Sequence, residues 1–184
     1  MMIEGGARLD VDVQARLCGK GRHAMIRVLF ICLGNICRSP MAEAVFRDML
    51  EKQGLSGQVE VDSAGIGNWH AGEPPHQGTR AVLDKYGISY AGIYSRQVKR
   101  EELPNFDYVV AMDSDNLQGL KRLGLAPSEH VFRLLELVPD ELEKDVPDPW
   151  YDGRFDKVYE LVTAGCEALL RRIQEDFGQT VSNE

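Results

Sequence analysis

The stretch VLFICLGNICRSPMAE, residues 28–43, decides the predicted fold, because an apolar run leads through a short loop into a helix-forming segment. The run from Ile26 to Ile31 is apolar except for Arg27 and rich in β-branched residues, as is typical of a parallel strand covered on both faces. Pro40 predicts a helix start, since proline at the first helical position loses no hydrogen bond. The residues from Cys32 to Ser39 are therefore predicted to form a tight loop between the strand and the helix.

This loop has the chemistry of an anion site. Its backbone N–H groups and the positive end of the helix dipole converge on one point. Gly34 permits backbone conformations that other residues resist, and Arg38 adds a planar fork of donors. The same positive field favours the thiolate of Cys32, so the loop can hold a phosphate group and offer a nucleophile without a histidine base.

The rest of the chain alternates predicted strands and helices. The predicted strands are 58–62, 106–112 and 131–135, and the predicted helices are 77–86, 113–123 and a final helix with an apolar stripe from Phe155 to Phe177. This order indicates the α/β class: a three-layer, doubly wound sheet of four parallel strands with helices on both faces. The cysteine loop would join the first strand to the first helix.

The composition excludes several classes of protein. A net charge of −8 over 184 residues argues against nucleic acid or an anionic membrane as the main partner, and no apolar run is long enough to span a bilayer. The four histidines are scattered, and none is paired with cysteine or carboxylates at ligand spacing. We therefore expect no metal and no cofactor. Four cysteines without an extracellular context favour a reduced, cytoplasmic location.

The segment CLGNICRSP, residues 32–40, resembles the signature loop of the low-molecular-weight protein tyrosine phosphatases. The resemblance covers about residues 25–177, through Ala42-Glu43-Ala44, Asp62-Ser63-Ala64-Gly65, Ser95-Arg96-Gln97, Asp113 and Asp148-Pro149-Trp150-Tyr151. It implies a phosphatase domain at residues 25–184. Residues 1–24 have no apolar core of a secretory signal and are predicted to be a flexible N-terminal extension.

The resemblance also implies a role for each site residue. Cys32 would attack phosphorus and carry a phosphocysteine, Arg38 would bind the phosphoryl oxygens, and Asp148 would be the general acid. An acid is needed because a tyrosyl oxygen leaves poorly unless it is protonated. Asp145 and Asp152 remain alternatives for this acid. The other phosphate-binding residues would be Leu33, Gly34, Asn35, Ile36, Cys37 and Ser39, of which Asn35 and Ser39 would also hold the loop and hydrogen-bond the thiolate.

Three aromatic residues resemble the walls between which this family receives a phenyl ring: Trp69, Trp150 and Tyr151. Flat aromatic side chains favour an aromatic phosphomonoester by stacking, and a deep cleft disfavours phosphoserine. The resemblance therefore implies hydrolysis of phosphotyrosine in proteins, and tyrosine kinases would be among these substrate proteins. It also implies that the enzyme is a monomer or a weak homo-oligomer. A second thiol in the loop, Cys37, would form a reversible disulfide with the redox-sensitive Cys32 and so protect it from over-oxidation.

Three rival functions share parts of this pattern. A protein-arginine phosphatase would, within the resemblance, carry threonine at the position of Ile36. A thiol-dependent arsenate reductase needs two further cysteines, and residues 39–162 contain none. A catalytically silent phosphotyrosine-docking module would need neither Cys32 nor Asp148. The sequence favours the tyrosine phosphatase over all three.

Overall fold

The computed structural model describes the backbone of residues 25–181 and the side chains of residues 25–176. The predictions for the N-terminal extension lie outside these residues. The four strands are β1 (Ile26–Cys32), β2 (Val59–Gly65), β3 (Tyr108–Ala111) and β4 (Val131–Arg133). The five α-helices are α1 (Arg38–Lys52), α2 (Gln77–Lys85), α3 (Ser114–Arg122), α4 (Pro149–Asp152) and α5 (Phe155–Val181), and two 3₁₀ helices span Arg100–Asn105 and Leu134–Leu137.

The sheet is parallel throughout, in the order β2-β1-β3-β4. From β1 the chain moves outward to β2, and it then returns across β1 to β3. Cys32 at the end of β1 pairs with Gly65, and Ile31 pairs with Ala111 on the other side. The end of β1 is thus the point where the strand order reverses, which is where doubly wound folds bind ligands.

Alternate residues of β1 enter two separate cores, as the strand period of two requires. Val28 and Phe30 pack with residues of α1 and α5, and Leu29 and Ile31 pack with residues that include Leu120 of α3. All four β1 residues are fully buried. The structure therefore confirms the predicted three-layer α/β fold.

Several predicted boundaries are wrong. Strand β2 continues to Gly65 instead of ending at residue 62, and β3 spans Tyr108–Ala111 instead of 106–112. Helix α1 begins at Arg38 rather than at Pro40, because proline is tolerated anywhere in a first turn whose N–H groups have no partner within the helix. Strand β4 ends at Arg133, since the next residues turn into a 3₁₀ helix that begins at Leu134.

The final helix has the predicted buried stripe over its described side chains, although Phe155 is only partly buried. The prediction for Phe177 lies outside these side chains. Val158, Val162, Cys166 and Leu169 are fully buried along α5, on the face that packs against α1. The opposite face is largely polar. Within residues 25–181, no helix combines the length and the hydropathy that crossing a membrane would require.

Candidate active site

The loop between β1 and α1 wraps around the sulfur of Cys32. This residue ends β1, and only 3% of its surface is exposed. The backbone N–H of Asn35 donates to Sγ at 3.3 Å, and Ser39 Oγ lies 3.0 Å from Sγ. Donors aimed at a sulfur at a helix N-terminus stabilise its thiolate form.

Asn35 holds the loop in shape. Its φ of 55° lies in the left-handed region, which is unusual for a residue other than glycine. The side-chain Nδ2 donates to Ser39 Oγ at 2.8 Å and to Ser63 Oγ at 2.9 Å, and Oδ1 accepts from the Arg96 N–H at 2.9 Å. These three bonds offset the backbone strain. Because Ser39 Oγ accepts from Asn35, its own proton is free to point at the sulfur of Cys32.

The network continues to a buried carboxylate that sequence reasoning missed as a site residue. Ser63 Oγ donates to Glu43 Oε2 at 2.6 Å, so Glu43 on α1 connects to Cys32 through Ser63, Asn35 and Ser39. Burial raises the pKa of Glu43 to about 7, although its hydrogen bond from Ser63 opposes the shift. The available signal was an acidic residue within the otherwise apolar Ala42–Ala44 segment of an amphipathic helix.

Arg38 lies in the first turn of α1 and is almost completely buried. Its Nη1 donates to Asp113 Oδ2 and to the Val146 carbonyl, and its Nη2 donates to Asp148 Oδ2 at 3.0 Å. Burial disfavours the charged form, but the negative charges of Cys32, Asp113 and Asp148 outweigh it and raise the pKa of Arg38. The guanidinium therefore remains a cation beside the sulfur.

One donor of this guanidinium has no partner. Arg38 Nε is buried and makes no hydrogen bond with the part of the chain that the structure describes. Buried polar groups are nearly always paired, and those that are not call for an explanation. An anion held in the loop would accept from this atom, because guanidinium groups bind phosphoryl oxygens through two parallel N–H donors.

A cavity of about 110 Å³ opens above the loop. All predicted site residues except Asn35 and Ser39 line it, and His70 lines it as well. The imidazole of His70 was not predicted to belong to the site. Its Nδ1 lies 3.2 Å from Glu73 Oε2, and its Cδ2 would lie 3.2 Å from a Cβ at residue 34. Gly34 thus leaves room for this ring at the edge of the loop.

Three aromatic side chains form the rim of the cavity and are largely open to solvent. Trp69 is 68% exposed, Trp150 53% and Tyr151 81%. Exposed aromatic groups around a concavity that also presents a few polar groups are typical of a site that receives a planar apolar group.

Asp148 is the carboxylate that lies at the cavity. It caps α4, with Oδ1 accepting from the Trp150 N–H at 3.1 Å while Oδ2 accepts from Arg38. Asp145 and Asp152, the two alternative acids, accept hydrogen bonds from other residues and do not line the cavity. Asp145 accepts from Ser114 and Arg133, and Asp152 accepts from Arg154.

Cys37 is buried within the loop and remains a thiol. Burial, together with the charges of Cys32 and Asp148, raises its pKa to about 12, and Arg38 offsets this only in part. Cys32, Cys37 and Cys166 are all unbridged. Among the residues that the structure describes, no group of three or more histidine, cysteine or carboxylate side chains could hold a metal ion.

Comparisons with known proteins agree with this geometry. The sequence model described as "Low molecular weight phosphotyrosine protein phosphatase" matches residues 27–179. The Bacillus subtilis protein named low molecular weight protein-tyrosine-phosphatase YfkJ is 52% identical over 153 residues, which are 83% of this chain and 98% of that protein. A Staphylococcus epidermidis protein of the same name, PtpA, is 45% identical over 83% of this chain and 96% of its own.

Solved structures give the same result. The crystal structure of YfkJ matches with a TM-score of 0.82 over 85% of this chain and 99% of its own. That of a Drosophila arginine phosphatase is 30% identical and matches with a TM-score of 0.73 over 80% of this chain and 98% of its own. On the matched profile, the identities and the shared fold, this chain belongs to the low molecular weight phosphotyrosine protein phosphatase family.

Proposed function

We propose that this chain is a protein-tyrosine phosphatase, which hydrolyses phosphotyrosine and aryl phosphate monoesters through a phosphocysteine on Cys32. One observation carries the proposal. Cys32, Arg38 and Asp148 line one and the same cavity. A nucleophile, an anion receptor and a proton donor are thereby within reach of one phosphoryl group.

In the first step, the Cys32 thiolate attacks phosphorus and a P–S bond forms. The bond from phosphorus to the aryl oxygen breaks, and Asp148 transfers its proton to that oxygen, so that the phenol leaves. Arg38 and the loop N–H groups hold the equatorial oxygens and stabilise the charge that they carry in the transition state.

In the second step, a water molecule attacks the phosphorus of the phosphocysteine. The Asp148 carboxylate accepts a proton from this water, the P–S bond breaks, and inorganic phosphate and the Cys32 thiolate are formed. Asn35 and Ser39 stabilise that thiolate as the leaving group through the hydrogen bonds described above.

The aromatic rim supports phosphotyrosine as the substrate. Phosphoserine is too short to bring its phosphorus to Cys32 while its backbone stays outside Trp150 and Tyr151. Ile36 lines the cavity as an apolar contact for the phenyl ring. The second candidate is a protein-arginine phosphatase, which the likeness to the Drosophila arginine phosphatase favours.

The wider setting of this activity is part of the proposal. Residues 25–184 would form the catalytic domain, and its partners would be phosphotyrosine proteins, including tyrosine kinases. Cys32, Cys37 and Cys166, the cysteines of the described residues, are buried and unbridged, which fits a reduced cytoplasm. No metal or cofactor takes part in either step.

Phosphate release from a phosphotyrosine peptide and from a phosphoarginine peptide, without added metal, tests the proposal. The chain should act mainly on phosphotyrosine, and Cys32→Ser should be inactive. Cys166→Ala is the matched control, because this buried thiol lies on α5 outside the cavity and its variant should remain active. A preference for phosphoarginine would favour the second candidate. No release from either peptide would contradict both enzymes and favour a docking module.

A further inference from the structure

His76 lies outside the cavity and yet contacts two parts of the site. It precedes α2 as its N-cap residue and is half-buried. Its backbone N–H donates to the Ile36 carbonyl at 2.7 Å. Ile36 belongs to the loop from Cys32 to Ser39, which we call the phosphate loop. Three residues after His76, the Thr79 hydroxyl donates to the Cys37 carbonyl at 3.1 Å. The start of α2 is therefore attached to two consecutive carbonyl groups of the loop.

The imidazole of His76 is held in one orientation. Its Nδ1 accepts the backbone N–H of Gly78 at 3.0 Å, which caps α2 and requires Nδ1 to be unprotonated. One ring face stacks on Phe155, with centroids 5.0 Å apart and planes 8° apart. A Cβ at residue 78 would overlap the ring of Phe155, so Gly78 serves both the cap and the stack.

The same imidazole meets Trp150 of the aromatic rim. The two rings are 5.5 Å apart and inclined by 70°, in an edge contact that aromatic pairs favour. His70 contacts the indole as well, at 5.5 Å. Trp150 belongs to the one-turn helix α4 and is 53% exposed, so its own helix constrains it little. The rings of His70 and His76 are therefore contacts that can hold Trp150 at the rim.

We propose that His76 is a positioning residue, which couples the phosphate loop to Trp150 and so sets the affinity for the aromatic ring of the substrate. The claim that His76 sets the affinity for the substrate ring rests on the proposed phosphatase activity. The claim that His76 holds Trp150 in place does not depend on that activity.

Two variants separate the two functions of this side chain. His76→Asp keeps an acceptor that caps α2 and removes the ring, whereas His76→Phe keeps a ring between Phe155 and Trp150 and removes the acceptor. For His76→Asp we expect KM for phenyl phosphate to rise about five-fold, the scale of one aromatic contact, with little change in kcat. Competitive inhibition by inorganic phosphate, which has no ring, should be unchanged. His76→Phe should keep the KM of the parent.

A second measurement needs no turnover. The chain has two tryptophans, so Trp69→Phe leaves Trp150 as the only indole fluorophore. In that background, His76→Asp should increase acrylamide quenching of Trp150, and His76→Phe should not. Equal quenching in both variants and their parent would overturn the proposal, as would an equal loss of phosphate and phenyl phosphate affinity. A chain without phosphatase activity that still shows the quenching difference would contradict the proposed function and leave the positioning role supported.

Discussion

Arg38 and Asp148, 110 positions apart in the sequence, form an ion pair in which Nη2 donates to Oδ2 at 3.0 Å. The group proposed to bind the phosphoryl oxygens thus contacts the group proposed to protonate the leaving oxygen. In the proposed mechanism, a phosphoryl dianion that takes over Nη2 would free the carboxyl group of Asp148 beside the bond to be broken. Phosphate binding and acid catalysis would then be coupled through this contact.

Replacing the nucleophile should separate binding from chemistry. Cys32→Ser leaves the loop N–H donors and Arg38 in place but removes the thiolate, so we expect kcat to fall by roughly four orders of magnitude. Calorimetric binding of inorganic phosphate should persist. Residual turnover within ten-fold of the parent would contradict the assignment of Cys32.

Removing the acid should depend on the leaving group. For Asp148→Asn we expect kcat on phenyl phosphate to fall by about 10²–10⁴, with a much smaller loss on p-nitrophenyl phosphate, whose leaving oxygen needs little protonation. The matched control is Asp152→Asn, because this exposed carboxylate bonds Arg154 and does not line the cavity. Equal losses on the two substrates in stopped-flow assays would exclude Asp148 as the acid.

The left-handed backbone of Asn35 and its side-chain hydrogen bonds should both affect the free energy of unfolding. Both Asn35→Gly and Asn35→Ala remove three side-chain hydrogen bonds from a buried site, which should lower the free energy of unfolding by about 2–4 kcal/mol. Alanine should be the worse of the two by about 1 kcal/mol, since a φ of 55° strains any residue with a Cβ. Urea denaturation of both variants measures the difference. Equal stabilities would mean that the left-handed backbone carries no strain.

Glu43 should make stability depend on pH in a defined direction. Burial raises its pKa from 4.5 to about 7, so the folded chain binds this proton more tightly than the unfolded chain does. Between these two values the folded state holds the extra proton, and stability therefore falls as the pH rises. Relative to Glu43→Gln, the free energy of unfolding of the parent should fall by about 3 kcal/mol between pH 4.5 and 7. Above pH 7 it should fall little further. Parallel pH profiles of unfolding for the two chains would contradict this.

Cys37 should respond to oxidation of its neighbour rather than react by itself. Its raised pKa, about 12, predicts no alkylation by iodoacetamide in the folded chain at pH 7.5. Peroxide would oxidise the Cys32 thiolate to a sulfenic acid, and attack by Cys37 on that sulfur would release water and form the disulfide. Dithiothreitol should then restore activity to the parent and not to Cys37→Ser. Equal recovery of the two enzymes would refute the protective role.

The phosphate loop was predictable because its determinants are local. Strand, loop and helix lie within residues 26–52, and the spacing from Cys32 to Arg38 places the proposed nucleophile and the cation around one turn. The apolar stripe of α5 was readable for the same reason, since helical periodicity is a property of the sequence. The first residue of α1 was mispredicted because proline is tolerated at several positions of a first turn.

Contacts between distant segments were decided only by the tertiary structure. The sequence left Asp145, Asp148 and Asp152 as candidate acids, and only folding shows that Asp148 alone of these reaches the cavity. Likewise, no sequence spacing indicates that Ser63 joins Asn35 to Glu43, or that His76 meets Trp150. The sequence by itself determined the loop and its chemistry, because adjacent residues share one backbone path. The position of the proposed acid, the hydrogen-bond network and the aromatic rim come from the way in which parallel strands gather their following loops at one edge of the sheet.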